Sequence, residues 1–392
     1  MDLSLLKAAG RGIGGVTTNR WFNRVTVPLV LAFAIMLPFQ VQAAAPFLTN
    51  TVEALIFVVM ALGLNVVVGF AGLLDLGYVA FYAVGSYTIG WLGSDFFFNA
   101  GHGHGVFFGL SRMTAQSQIG IHLNFYLIMV IAAIVSAAAG ALIGLPTLRL
   151  RGDYIAIVTL AFGEIIGNVA ANGDQLHFPP GYTLTMGRQG ITPIDDPNLP
   201  FVGVFGPINN RPWYFVALVL VLIVLFCNVR LRDSRLGRAW VALREDEVAA
   251  ASMGIPLVKT KLLAYATGAA FGGMAGVLRS SFENTVNADS FAFSFSIFVL
   301  AMVILGGLGS IWGVVLGALA LSYSNTYLIP RVLGPFLQNF GLNVTQLGFG
   351  IFGFLLVVMM VLRPQGLIPE RRRKLELTEG IGGDETLVEV KA

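Results

Sequence analysis

Residues 213–229 read WYFVALVLVLIVLFCNV, and residues 230–238 that follow read RLRDSRLGR. An uncharged apolar run closed by a burst of arginines matches a helix that crosses a hydrocarbon core, which takes about 20 residues, and stops at a membrane surface. Comparable runs recur at 25–45, 52–68, 76–92, 125–145, 154–171, 262–278, 291–308, 311–329 and 345–362, so the chain predicts about ten spans. Composition agrees: of 392 residues 56% are hydrophobic and 11% charged, whereas soluble domains carry roughly 25% charged residues. A β-barrel would show segments of alternating polarity instead of continuous apolar runs. The expected fold is therefore all-α, a polytopic transmembrane helical bundle whose work is to move something across a bilayer.

Basic residues set the orientation, because cytoplasmic loops are enriched in Lys and Arg. With both termini inside, all of the 24 Lys and Arg residues fall on the cytoplasmic side except Arg112, Arg188, Arg211, Arg279 and Arg331. This divides the chain into a cytoplasmic segment 1–24, a membrane domain 25–362 with a long cytoplasmic loop at 230–261, and a cytoplasmic tail 363–392. The first run reads as an uncleaved span, although Ala43, Ala44 and Ala45 imitate a cleavage site. The net charge of +3 sits at span ends, where it sets topology and meets anionic lipid, and does not point to nucleic acid.

Several chemistries are excluded or weak. No G-x-x-x-x-G-K-[ST] loop is present, so energy must come from a partner or an ion gradient. No local motif places a nucleophile with a base. His102, His104, His122 and His177 all fall in outer loops, and only the His102/His104 pair suggests even weak metal binding; no metal site is expected. Cys227, the single cysteine, reads as a buried, inert thiol. Glycines four apart, at Gly268/Gly272/Gly276, Gly309/Gly313/Gly317 and Gly140/Gly144, predict close helix packing. The run Gly306-Gly307-Leu308-Gly309 predicts a break between two spans.

Ionisable groups within apolar runs are the stronger signal, since an Asp at mid-span costs about 2.5–3.5 kcal/mol on insertion scales. Glu164 lies near the middle of its run and reads either as a polar contact on a solute path or gate, or as an interhelical hydrogen bond. Asp75, in the short segment Gly72–Gly77, reads as a cap or hinge, and Glu53 as a group at a helix start.

The loop at 230–261 contains Arg244-Glu245-Asp246-Glu247-Val248-Ala249-Ala250-Ala251-Ser252-Met253-Gly254-Ile255-Pro256. Acids followed by alanines predict a short helix with a charged start, stopped by Gly254 and Pro256, whose small residues leave room for a docking partner. This loop is similar to the coupling segment of ABC importer permeases for branched-chain amino acids, the LivH/LivM permease family. Three further stretches share the resemblance: GLLDLGYVAFYAVG at 72–85, PTLRLRGDYIAIVTL with FGEI at 146–165, and RPQGL at 363–367.

The resemblance implies a fold near the type II importer permeases, a second related permease subunit, two cytoplasmic ATP-binding subunits and an extracytoplasmic solute-binding protein in a bacterial inner membrane. This chain would then be a transport subunit and not an enzyme; it would bind no cofactor, with ATP and Mg held by the partner ATPases. Residues Arg244, Glu245, Asp246, Glu247, Ala249, Ala250 and Gly254 match the ATPase-facing pattern, and Asp75, Tyr78, Tyr82 and Glu164 are candidates for the path or gate. Two departures fall in the outer loops: 185–191 reads TMGRQGI without the family's Gly-Gly pair, and 97–122 and 173–212 are long. The same scaffold could serve urea, amides or small aromatic acids. An ion-driven transporter, with Glu164 as its ion site, is the alternative from another class.

Overall fold

Lipid offers backbone groups no hydrogen-bond partners, so apolar runs of this length form helices that satisfy themselves. The computed structural model describes residues 32–42, 45–97, 108–109, 121–147, 154–178, 182–197, 205, 209–333, 353, 357 and 366–368. In order these form α1 (32–40), α2 (Pro46–Leu64) prolonged by a π-helical turn (Asn65–Phe70), α3 (Val79–Leu92), α4 (Phe125–Thr147), α5 (Tyr154–Asn172), α6 (Arg211–Asp233), α7 (Arg235–Glu245), α8 (Glu247–Ser252), α9 (Leu257–Glu283), α10 (Phe293–Gly306) and α11 (Ile311–Tyr323), which runs on in π-helical turns (Ser324–Leu333).

Six of these segments are long and apolar enough to cross a membrane, and α3 and α10 are shorter apolar helices. Most of the expected run at 345–362 and of the terminal segments 1–24 and 363–392 lies outside the described residues, as do His102 and His104. Cys227 is half-exposed on α6 and not buried.

Helix α9 is the central post, packing on α4, α3 and α2. Its glycines allow this. A Cβ on Gly268 would meet Val67 and the Gly63 carbonyl, one on Gly276 the backbone of Tyr82 and Ser86, and one on Gly273 the Ser136 side chain of α4. Gly85 of α3 lies directly against the Gly273 backbone. At the other hairpin, Gly313 and Gly317 of α11 rest on the end of α10, and Leu367 and Ile368 return to bond the carbonyls of Leu305 and Gly306 at 2.9 and 3.1 Å.

The runs at 76–92 and 291–308 depart from expectation. Each contributes a helix of 14 residues, about 21 Å at 1.5 Å per residue, short of a ~30 Å core. Their amino-terminal turns meet inside the bundle, where Val79 N donates to Ser296 Oγ at 3.0 Å. Their carboxyl ends leave in opposite directions. Gly306–Gly309 reaches the end of α2, where Gly309 N donates to Asn65 Oδ1 at 2.9 Å. Gly93–Ser94 (β1) instead pairs antiparallel with Ile121–His122 (β3), itself parallel to Phe108–Gly109 (β2), at the far end of the bundle. A second two-stranded pair, His177–Phe178 (β4) with Tyr182–Thr183 (β5), follows α5.

The close approach of α3 to α9 is backbone against backbone, so no side chain can give way there. Gly85→Leu is expected to destabilise the protein by about 3 kcal/mol, the upper part of the range for overpacking, read as a lower thermal midpoint and folded yield in detergent.

Candidate functional site

The segment after α6 is built as a rigid bracket. Ser234 caps α7, its Oγ accepting from Gly237 N at 3.1 Å. Trp240, fully buried, donates from Nε1 to the Thr260 carbonyl of α9 at 2.9 Å. Arg244 crosses to α2, Nη1 donating to the Gly69 carbonyl at 2.7 Å, and its stem lies over Gly72, whose φ of 71° turns the chain out of α2. Asp246 then ends α7 and starts α8, its Oδ1 accepting from Val248 N at 2.8 Å and Ala249 N at 3.0 Å. Glu247 reaches back to the buried Lys261 of α9, Oε1 to Nζ 2.6 Å. Gly254, at φ 83°, closes α8 in a conformation that side chains disfavour, although nothing crowds it.

The seven residues matched to the ATPase-facing pattern therefore divide. Glu245, Asp246, Ala249 and Gly254 are exposed; Ala250 is buried, and Arg244 and Glu247 tie the bracket to α2 and α9. What α8 offers outward is Val248, 71% exposed, and Met253, 85% exposed. Neither was singled out from the sequence, where an apolar residue in a membrane protein is no signal. A cleft of about 440 Å³ beside α7 is lined by Arg232, Asp233, Arg238, Val241, Ala242, Arg244 and Glu245.

Among the path or gate candidates, Asp75, Tyr78 and Tyr82 gather in the core, whereas Glu164 stands apart. Asp75 is 1% exposed and holds the break before α3: its Oδ1 accepts from Gly77 N at 2.9 Å, beside Thr159, whose Oγ1 accepts from Leu76 N at 3.0 Å. That is the cap or hinge role. Tyr78 donates to the Gly268 carbonyl of α9 at 2.8 Å. Tyr82 packs its ring on Phe291 and Phe295. Glu164 is exposed on the outer face of α5.

Two ionic clusters were not legible as such. Arg279 of α9 pairs with Glu283, Nη2 to Oε1 2.5 Å, lies 5.7 Å from the Phe57 ring centroid, and has Glu53 and Tyr82 in its electrostatic surroundings. Arg279 reads in sequence as an exception to the charge rule and Glu53 as a cap; tertiary packing of α2 on α9 joins them. At the far end of the bundle the buried His122 sits between Asp195, Nδ1 to Oδ2 2.6 Å, and Asp95, Nε2 to Oδ1 3.3 Å. Burial pushes the Asp195 carboxyl above the usual carboxylate range, opposed by its hydrogen bond and attraction to His122.

Removing the cation between Glu53 and Glu283 leaves two carboxylates without compensation. Arg279→Met is expected to cost about 1 kcal/mol, because Glu283 is exposed and its carboxylate can turn to water, and to show as a lower thermal midpoint of the purified protein than Glu283→Gln produces.

Comparison with known proteins identifies the family. Residues 47–362 match the family model described as the branched-chain amino acid transport system permease component. The chain is 38% identical over 371 residues, 90% of its length and 76% of the relative's, to the high-affinity branched-chain amino acid transport system permease protein LivM of Salmonella typhimurium. It is 28% identical over 338 residues, 81% of its length and 91% of the relative's, to a probable branched-chain amino acid transport permease protein LivM of Methanocaldococcus jannaschii. Over 115 residues, 28% of this chain and 37% of the relative, it is 34% identical to the permease protein LivH of Salmonella typhimurium. No solved structure matches the chain. A family match that takes in every long helix from α2 to α11, joined to a relative similar over nine-tenths of the chain, places this multi-pass membrane protein in the branched-chain amino acid transport system permease family, as a LivM-type transport component and not an enzyme.

Proposed function

We propose that this chain is the membrane-spanning subunit of an ATP-driven importer of branched-chain amino acids in a bacterial inner membrane, with about ten spans and both termini cytoplasmic. A second, LivH-like permease subunit completes the membrane domain, two cytoplasmic subunits bind ATP and Mg, and an extracytoplasmic binding protein delivers the solute. The observation that carries this reading is the bracket α7–α8. Its outward side sets the apolar Val248 and Met253 and the small Ala249 and Ala251 beside the exposed acids Glu245 and Asp246, as a helix seated in another protein's groove does. Its inward side is tied to α2 through Arg244 and to α9 through Glu247 and Lys261.

The mechanism follows from these ties. Closure of the ATPases on ATP displaces α8 together with the bracket. The Lys261–Glu247 pair passes that displacement to the near end of α9, and Arg244 passes it to the bend after α2. Because α9 packs glycine-to-backbone on α2, α3 and α4, the four move as a unit against the rest of the bundle, which switches access between the two sides of the membrane.

The test is purification of the whole complex with ATPases, partner permease and binding protein. Wild-type complex should drive leucine uptake that requires ATP and the loaded binding protein; uptake by this chain alone under an ion gradient would overturn the reading. Val248→Asp with Met253→Asp should lower recovery of the ATPases at least about tenfold, since charges placed in a buried contact cost several kcal/mol. Lys261→Gln should leave the ATPases bound and reduce leucine moved per ATP hydrolysed.

A further inference from the structure

One face of α5 is exposed along its whole length: Tyr154, Ile157, Ala161, Glu164, Asn168 and Asn172, spaced three or four apart as neighbours on a helix must be. The opposite face, with Ile155, Ala156, Thr159 and Gly163, is buried, and Gly163 packs on Gly77. The exposed stripe changes character at its middle. The half nearer the bracket is apolar, with Tyr154 67% and Ile157 60% exposed. The half nearer the far end carries, beside the exposed Ile165, a polar ladder in which Asn168 Nδ2 donates to the Glu164 carbonyl at 2.9 Å and Asn172 Nδ2 to the Asn168 carbonyl at 3.0 Å. The Glu164 carboxylate has no partner among the described residues. From Glu164 to Asn172 the ladder runs about 12 Å, close to half the ~30 Å core.

Hydrocarbon cannot cover this half, because an exposed carboxylate at mid-span with two amides above it is costly unless it faces a protein seam or water. Complete burial in a dry interface would need a cation from the covering partner, since no described residue of this chain supplies one, and would cost as much without it. A seam with water on its far side satisfies both. Resting on the function proposed above, we infer that this face of α5 lines the solute path where the chain meets the second permease subunit. The polar ladder is the outer vestibule, Glu164 at its floor receives the ammonium group of the amino acid, and the apolar half around Ile157 is the barrier below it. The solute then has a charged contact at mid-membrane and an apolar stretch that its own apolar side chain can cross.

Two measurements on the reconstituted complex decide this. In a Cys227→Ser background, Asn168→Cys and Asn172→Cys should react with a charged, membrane-impermeant methanethiosulfonate added on the side opposite the bracket, and leucine with its binding protein should slow the reaction; Ile157→Cys should be inert. Labelling of positions 168 and 172 by a lipid-soluble maleimide alone, or by neither reagent, overturns the vestibule. Glu164→Gln should lower leucine uptake at least about tenfold, as loss of a charged contact does, while hydrolysis stimulated by the loaded binding protein stays within about twofold; Glu164→Asp should recover part of the uptake. Unchanged uptake in Glu164→Gln, or equal loss of uptake and hydrolysis in both variants, overturns the role of Glu164. Absence of ATP-driven amino-acid uptake by the wild-type complex would instead refute the proposed function, and the thiol reactivities would still decide whether α5 faces water.

Discussion

A backbone N–H or C=O in the hydrocarbon layer has no water to bond, so any non-helical segment at that depth must be satisfied by the protein around it. The segment before α3 meets this demand with side chains. Asp75 serves Gly77, Thr159 serves Leu76, and Ser296 serves Val79, the first residue of α3. At the turn after α10, Asn65 serves Gly309. These four bonds explain why the polar side chains involved are buried, and why α3 and α10 can stop short of a full crossing. The π-helical turn that holds Asn65 widens α2 at the place where Gly309 approaches, a known use of such turns at functional positions.

The same economy shapes the bracket α7–α8. A connector that merely lay on the surface would gain little from a salt bridge, because exposed pairs contribute little. Here Lys261 is 4% exposed, so Glu247 is held in place by the penalty of leaving an ammonium buried and unpaired. Arg244 meets a carbonyl at the end of α2, where the helix dipole favours a cation. Displacement of α8 is therefore resisted at two separate helices and must be passed on to both. Arg279 plays a comparable part toward the other end of the bundle, holding the Glu53 and Glu283 carboxylates of α2 and α9 around one charge.

Much of the bundle was legible because burial in lipid demands length and hydrophobicity, which composition carries openly. The runs at 125–145 and 154–171 match α4 and α5 almost to the residue. The runs at 76–92 and 291–308 extend two or three residues beyond α3 and α10 because Leu76, Gly77 and Phe291 are as apolar in sequence as a helix start; before α3, Leu76 and Val79 are bonded by Thr159 and Ser296, and before α10, Phe291 closes a separate turn at Ala288–Phe291. The bracket's outline was readable from acids, alanines and a Gly-x-Pro stop. Its division of labour was not: Ala249 and Ala250 are identical in sequence, yet one is exposed and the other buried.

The sequence by itself determined that the chain lives in a membrane and where along it most of the long helices lie. These are local properties, written in hydropathy, charge and turn residues along one stretch at a time. Tertiary structure alone decided that Asp75 caps a break while Glu164 faces outward, and that Arg279 comes within electrostatic reach of Glu53, 226 positions away along the chain. Whether a charge inside an apolar run is a brace or part of a path depends on which helix face it occupies once α5 has packed Gly163 against Gly77, and that choice is made by the neighbours and not by the residue.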